Sequence, residues 1–456
     1  MRACSALWTS SILCMLALGI SVDPSEVRAG ERLAFEHADG YGKFSQGGRG
    51  GRIIYVTSLN DDGPGTLREC VEAQGPRNCL FKVAGIVELT RPIMIGEDSS
   101  FVSILGQTAP GGGVLLTISN KDRKNKHTPF IIKRSHNVIL RHIRIRPRFP
   151  NSVENVDALT IEDSSNIYVD HISGSWATDE NINTHADSTK VTIAHSIFGE
   201  GLNKHSKCAL LGSDPRQPQE ITFWGNACVS NRDRNPDNNH YGGSCIDVIN
   251  NVFFNARSEW GEVFSQYPGG TPISYVGNYF KAGPSTEDIT YAINWNDTNS
   301  AAEPRIYQHD NLTWSSGSKK VALVAPDTER LLVSTPPCPL SVGNILTATD
   351  AYRNVRQRAG AFPRDAIDAR LIKEIADMNQ TGQGRMVKAP GELPPIAPGE
   401  AYADADGDGI ADSIELAVGA KPGTSDPWED GDGDGWSNFD QFMEKLAQDR
   451  IIGEYP

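Results

Sequence analysis

Apolar and polar positions alternate along the middle of the chain in short runs that keep returning in one form. An alternating apolar strand is followed by His or a small residue, often by Asn, and then by another apolar pair. The form stands as "VILRHIRI" from Val138, "IYVDHISG" from Ile167, "VTIAHSIF" from Val191 and "ITFWGNAC" from Ile221. It continues as "IDVINNVFF" from Ile246, "ISYVGNYF" from Ile273 and "IYQHDNLTW" from Ile306. Such alternation marks strands, and the Gly, Asn and Asp between the runs mark turns. From about Arg52 to Ser315 the runs recur every 24 to 33 residues with no long helical pattern between them, as strands stacked in a solenoid would. Asn226, Asn251, Asn278 and Asn311 share one register, which suits an amide ladder at a repeated bend. A β-sandwich also spaces its strands regularly, but it does not explain one side-chain motif returning at coil length. The expected fold class is all-β: a right-handed parallel β-helix with short flanking helices and a small C-terminal calcium-binding module.

Two flanking stretches read as helices. "GTLRECVEAQ" (Gly65 to Gln74) is amphipathic and suits a cap over the open end of the solenoid, where a sheet edge needs cover. "AIDARLIKEIADM" (Ala366 to Met378) has apolar residues near helical spacing and is expected to pack along the outside. At the N-terminus, Arg2 precedes the apolar run Ala6 to Ile20, which is short for a bilayer span and reads as an export signal cleaved after Ala29. The expected layout is a leader at 1–29, the solenoid domain at 30–388, a Pro/Gly-rich linker at 389–400 and a tail at 401–456. Outside the leader no membrane span is expected, and the mature chain reads as a secreted monomer, extracellular or periplasmic.

Charge changes this picture in one respect. The net charge is −14, but the chain from Glu400 onward holds 15 acidic and 3 basic residues. The main body is near neutral, the acidity belongs to the tail, and no nucleic-acid partner is expected. Six cysteines follow the leader, at 70, 79, 208, 228, 245 and 338, without zinc-ligand spacing. An even number in an exported chain favours disulfides. Cys70 and Cys79 are close enough to staple one loop, and the remaining connectivity is open. The Asn-x-Thr triplets at Asn296, Asn311 and Asn379 fit glycosylation acceptors in a eukaryotic secretory pathway.

In the tail, "DADGDGIADSIE" (Asp404 to Glu415) matches the calcium-loop pattern D-x-D-x-D-G-x5-E. Asp404, Asp406, Asp408, Asp412 and Glu415 are the candidate ligands and Gly409 the turn; the alternative is a solvated acidic linker. A second loop keeps Asp430, Asp432, Asp434, Gly435 and Asn438 but ends in Gln441, so weaker binding or substitution by Asp440 is expected. Both loops read as structural, with no catalytic pair beside them.

Within the solenoid, three segments fall on neighbouring coils. One carries Asp157, the next carries Asp179, Glu180, Asn183 and Asp187, and the third carries Lys207 followed by Arg232 and Arg234. Stacking brings residues one coil apart to within about 5 Å, so acids would lie beside cations. Any one of these aspartates alone would read as a turn cap. Arg144, Arg146 and Arg148 fall on one strand face by alternation, lining an anionic groove or facing solvent. His171 and His195 occupy the repeat register and read as turn residues.

Through these segments the chain resembles the pectate lyases of polysaccharide lyase family 1. The resemblance runs through "ADGYGKFSQGGRGGRIIYVTSLNDDGPGTLREC", "NIYVDHISGSWATDEN", "HSKCALLGS", "RNP" and "PRDAIDARLI", over roughly residues 35 to 380. It implies a parallel β-helix, Ca²⁺ dependence and cleavage of polygalacturonate or pectin by β-elimination. Asp157 and Asp179 would hold the ion, and Asn183 stands where the family usually has another carboxylate, which either weakens the calcium affinity or shifts a ligand role toward Glu180 or Asp187. Lys207 matches the lysine that holds the substrate carboxylate, and Arg234 matches the arginine that removes the C5 proton. Arg232 has two readings, a substrate contact or a salt bridge to Asp233 or Asp237. Family members often continue the arginine motif as R-x-P-R, whereas Asp237 follows Pro236 here.

At an ordinary pKa of ~12.5, on the order of one arginine in 10⁴ is neutral at pH 8.5, so burial, Lys207 and the metal are expected to favour the neutral form. Three rivals share the fold: a calcium-independent pectin lyase for methyl-esterified chains, a polygalacturonase using paired carboxylates, and a non-catalytic β-helix that binds acidic glycans.

Overall fold

A computed structural model describes residues 32–119, 126–150, 152–202, 205–376, 384 and 386–456. The leader at 1–29, the acceptor Asn379 and the end of the predicted helix at Met378 lie outside them. Three sheets of eleven, nine and nine strands, every pairing parallel, wind into a β-solenoid of about nine coils. Val138, Ile167, Val191, Ile221, Ile246, Ile273 and Ile306, which open the seven repeated runs, stack partner on partner in the eleven-stranded sheet. Each is buried, so the repeat is the core column read along the chain.

The amide ladder forms at the bend that follows. Asn251, Asn278 and Asn311 each accept, on Oδ1, the backbone N–H of the ladder residue one coil earlier. Their Nδ2 groups donate to buried carbonyls. Asn311 is 7% exposed, and its amide nitrogen is committed to Tyr275. That burial corrects the reading of Asn311 as a glycosylation acceptor. Cystines join Cys70 to Cys79, Cys208 to Cys228 and Cys245 to Cys338.

Among the described residues, four α-helices flank the coils. Helix α1 (Leu67–Glu72) has Thr66 as its N-cap, whose hydroxyl accepts from the Glu69 amide, and it buries Leu67, Cys70 and Val71 in the main core at the first coils. Helix α2 (Ala348–Arg358), missed in the sequence, and helix α3 (Ala366–Ala376) lay Val355, Leu371 and Ile375 against Ile197, Val229 and Val252 on the solenoid exterior.

The arginine run "RHIRIRPRF" behaves differently from either expectation. Arg144 and Arg146 are fully buried beneath α3, where Arg146 donates to Asp365 at 2.5 Å and to Asp368 at 2.9 Å. Arg144 lies 3.4 Å from Asp368. Neither groove nor solvent receives them; they are cations clamped to the helix that covers them. Removing one partner leaves a buried charge uncompensated, so Asp368→Ala is expected to cost about 3–5 kcal/mol, readable as a lowered urea midpoint at unchanged slope.

The tail is not suspended on its linker. Backbone at Gly112 donates to Ala397 within 389–400. Helix α4 (Asn438–Ile452) carries Phe439, Phe442, Met443 and Leu446 into a cluster with Tyr402, Ile410 and the solenoid residues Leu80 and Leu105. Asp440 accepts from Arg49 at 2.9 Å and Glu444 from Arg141 at 2.9 Å, and Leu33–Pro456 forms one contact unit.

Candidate active site

The site lies on the nine-stranded sheet that contains Leu159–Glu162, Glu180–His185, Lys207–Ser213, Asp237–Asn239 and Glu259–Phe264 as successive strands. Parallel register does the gathering. Glu180 pairs with Lys207, and Lys207 bridges to Asp233. A second column runs Thr160, Asn183, Leu210, Asp237, Glu262. Residues more than 20 positions apart in the chain therefore become neighbours one strand spacing apart.

Carboxylate oxygens of Asp157, Asp179 and Glu180 come within 4.8 Å of one another. Glu180 is the centre of the cluster: its Oε1 lies 3.1 Å from Lys207 Nζ and 2.6 Å from an Arg234 terminal nitrogen. Lys207 also donates to Asp179 at 2.8 Å. Arg234 Nε donates to Asp237 at 3.0 Å. Glu180 has a 2% exposed side chain against 30% for Arg234, so of this pair the guanidinium is the one open to solvent.

Asn183 donates to Asp157 at 3.3 Å while its Oδ1 is buried with no hydrogen-bond partner. Asp157 also accepts from Thr160 at 2.6 Å and from the Glu180 backbone at 3.2 Å. Burial, then the neighbouring Glu180 carboxylate, pushes Asp157 well above the usual carboxylate range. A hard dication set among these oxygens relieves both costs, so the donor set fits calcium.

Three sequence readings change here. Asp187 is drawn away, accepting the Arg216 backbone at 2.6 Å and its Nε at 2.9 Å, so Glu180 and not Asp187 joins Asp157 and Asp179. Asp237 pairs with Arg234, which removes it as a partner for Arg232; Arg232 is anchored by its backbone N–H to the Ser206 carbonyl at 2.7 Å. Arg234 is held charged: burial pulls its pKa down, but Asp237 and then Glu180 outweigh this and raise it. The acids around it were legible in sequence; their distance to the guanidinium was not.

Burial pushes Asp237 up to about 7, with Arg234 pulling it down and Glu180 pushing it further up. An unfolded aspartate titrates near ~3.9, so the folded chain retains this proton longer and folding stability falls between about pH 4 and pH 7. Asp237→Asn removes that penalty. The variant's melting temperature, compared with the parent's in chelator, should gain from pH 4 to pH 8; a difference constant with pH contradicts the assignment.

Two other groups lie apart from this cluster. His171 and His195 sit with His142 at left-handed bends, φ 52°, 46° and 54°, stacked at 4.9 and 5.0 Å between ring centroids. Asp170 accepts from Arg141 at 3.0 Å and lies 3.1 Å from His195 Nδ1. In the tail, Asp404, Asp406 and Asp408 converge, as do Asp430, Asp432 and Asp434. The two loops fold alike: Asp412 Oδ1 accepts from Ala405 and Asn438 Oδ1 from Gly431. Both Asp406 oxygens, one of Asp408 and one of Glu415 are buried without hydrogen-bond partners. Asp440 does not substitute for Gln441, because its carboxylate is engaged by Arg49. Instead, Gln441 Nε2 donates to Asp432 and Asp434, each at 3.1 Å.

Comparison with known proteins places these observations beside others. The chain is 30% identical over 430 residues to the probable pectate lyase C of Aspergillus flavus, covering 93% of this chain and 95% of that one. The probable pectate lyase C of Aspergillus oryzae matches over the same shares at 30%. Pectate lyase 1 of Cryptomeria japonica is 31% identical over 185 residues, 39% of this chain and 48% of its own. Among solved structures, the major allergen from cedar pollen superposes with a TM-score of 0.53 at 18% identity, covering 71% of this chain and 92% of its own. A Bacillus subtilis pectate lyase variant gives 0.52 at 13% identity, with 73% and 98% covered. These two likenesses bear on the fold. No family model matches the chain.

Proposed function

The chain belongs to the pectate lyases, and from that premise we propose that it is a secreted, calcium-dependent lyase cleaving polygalacturonate by β-elimination at the Asp157–Arg234 cluster. The observation that carries this reading is the contact of one buried carboxylate, Glu180, with both Lys207 and Arg234 beside two further acids. Asp157, Asp179, Glu180 and the orphaned Asn183 oxygen would hold the ion. An ion held there would supply positive charge beside a uronate carboxylate and so acidify the adjacent C5–H.

The protein's own groups do the rest. Lys207 fixes the substrate carboxylate. Arg234, at the exposed rim, takes the C5 proton; the released electron pair forms the C4–C5 double bond as the C4–O bond breaks, and the departing oxygen is protonated from solvent. Because Asp237 and Glu180 favour the charged guanidinium, the base is competent only on the alkaline side. The pH–rate profile on polygalacturonate should climb above neutrality, and a maximum below pH 6 would exclude Arg234 as the base.

Asp404, Asp406, Asp408, Asp412 and Glu415, and more weakly Asp430, Asp432, Asp434 and Asn438, are proposed to hold calcium that stiffens the tail against the first coils. The buried, unpartnered oxygens of Asp406, Asp408 and Glu415 support this. A site filled at 100 times its Kd stabilises by about 2.7 kcal/mol, so chelation should lower the melting temperature, and Asp406→Ala should shrink that shift. The three cystines support an oxidising, extracytoplasmic location, and no helix among the described residues is long and apolar enough to cross a membrane. The winding is taken as right-handed, the hand that parallel crossovers adopt.

A further inference from the structure

Immediately beside Arg234, on the same sheet, a cleft of about 230 Å³ opens toward the later coils. Its wall carries Asp237 and Asp214, the apolar faces of Leu210 and Phe264, and the amide of Asn239. Among the described residues Arg234 is the one cation lining it, and that guanidinium is already shared between Glu180 and Asp237. Asp237 is 3% exposed, and its second oxygen, Oδ1, is buried without a hydrogen-bond partner. One coil further, Glu262 stands in register with Asp237.

A free galacturonate carboxylate entering this cleft would face Asp214 and Asp237 with no unshared cation to meet it. Like charges set against each other in a partly dry site discriminate strongly against the charged ligand. A methyl ester removes the charge and presents a methyl group to Leu210 and Phe264. The geometry points to a mixed recognition: a free uronate at the Asp157–Lys207 cluster and a methyl-esterified one in the neighbouring cleft, so that the preferred substrate is partly esterified pectin rather than fully de-esterified polygalacturonate. This rests on the elimination centre proposed above.

The test compares kcat/KM for unsaturated product on polygalacturonate and on pectins of low, intermediate and high esterification, in calcium, for the full chain and two variants. The parent should be fastest at intermediate esterification. Asp214→Asn, at an exposed position whose φ of 52° Asn also tolerates, should raise kcat/KM on polygalacturonate about threefold relative to that on the intermediate pectin. Phe264→Ala should lower the intermediate pectin selectively. A parent fastest on polygalacturonate and slower with every added ester, together with an Asp214→Asn variant that does not change the order, overturns the ester cleft while leaving the lyase reading intact. Absence of product from every polymer overturns the lyase reading and this one with it.

Discussion

Arg234→Lys is expected to lower kcat on polygalacturonate by about 10³-fold while KM stays within a few-fold of the parent value. General-base catalysis by a positioned side chain contributes about 10²–10⁴-fold, and an ammonium on a flexible stem does not reproduce a planar fork held by two carboxylates. Arg234 spans Asp237 and Glu180 through Nε and a terminal nitrogen, so a lysine can keep one of these contacts but not both. Binding should survive, because Lys207 and the acid cluster are untouched. A drop confined to kcat marks an interaction made in the transition state. Near-normal turnover would show that the proton leaves by another route.

Asp157→Asn carries the second large effect. Asp157 is the one member of the cluster contributed by the earlier coil, just before the strand Leu159–Glu162, and it is buried against Glu180 and Asn183. Converting it to an amide removes a charged ligand without changing its size. Affinity for calcium at such sites tracks the number of charged ligands. The expected result is activity lost at low calcium, on the order of 10²-fold, and largely regained at high calcium. A separate readout guards against a folding defect: the tail-dependent calcium shift in melting temperature should be the same as in the parent. Equal loss at every calcium level would instead assign Asp157 a purely structural role.

The solenoid was legible because its information is local and repeated. Each coil states its own core column, so Ile246 or Ile273 can be placed without knowing the rest of the molecule, and the asparagines mark the bend beside it. Readings failed where the partner lies far along the chain. Alternation put Arg144 and Arg146 on an outward face correctly, but what covers that face is α3, whose Asp368, with Asp365 just before it, comes more than 200 residues later. Helix α4 shows the same effect: its apolar side is complete only against Leu80 and Leu105 of the solenoid. At the site, residue types were readable and distances were not. "TDEN" offered two acids and an amide in a row; only the pairing of Glu180 with Lys207 selects Glu180 as the hub and leaves Asp187 to Arg216. Helix α2 escaped notice because its apolar positions are few, with Thr347 capping it and charged residues along most of its length.

The central claim is that this cluster performs calcium-dependent elimination on a de-esterified uronate. The most direct measurement is the ultraviolet absorbance of unsaturated uronate released from polygalacturonate, followed with calcium, with chelator and after calcium is restored. Product is expected with calcium, none with chelator, and recovery on restoration. Product that persists undiminished in chelator would contradict that claim.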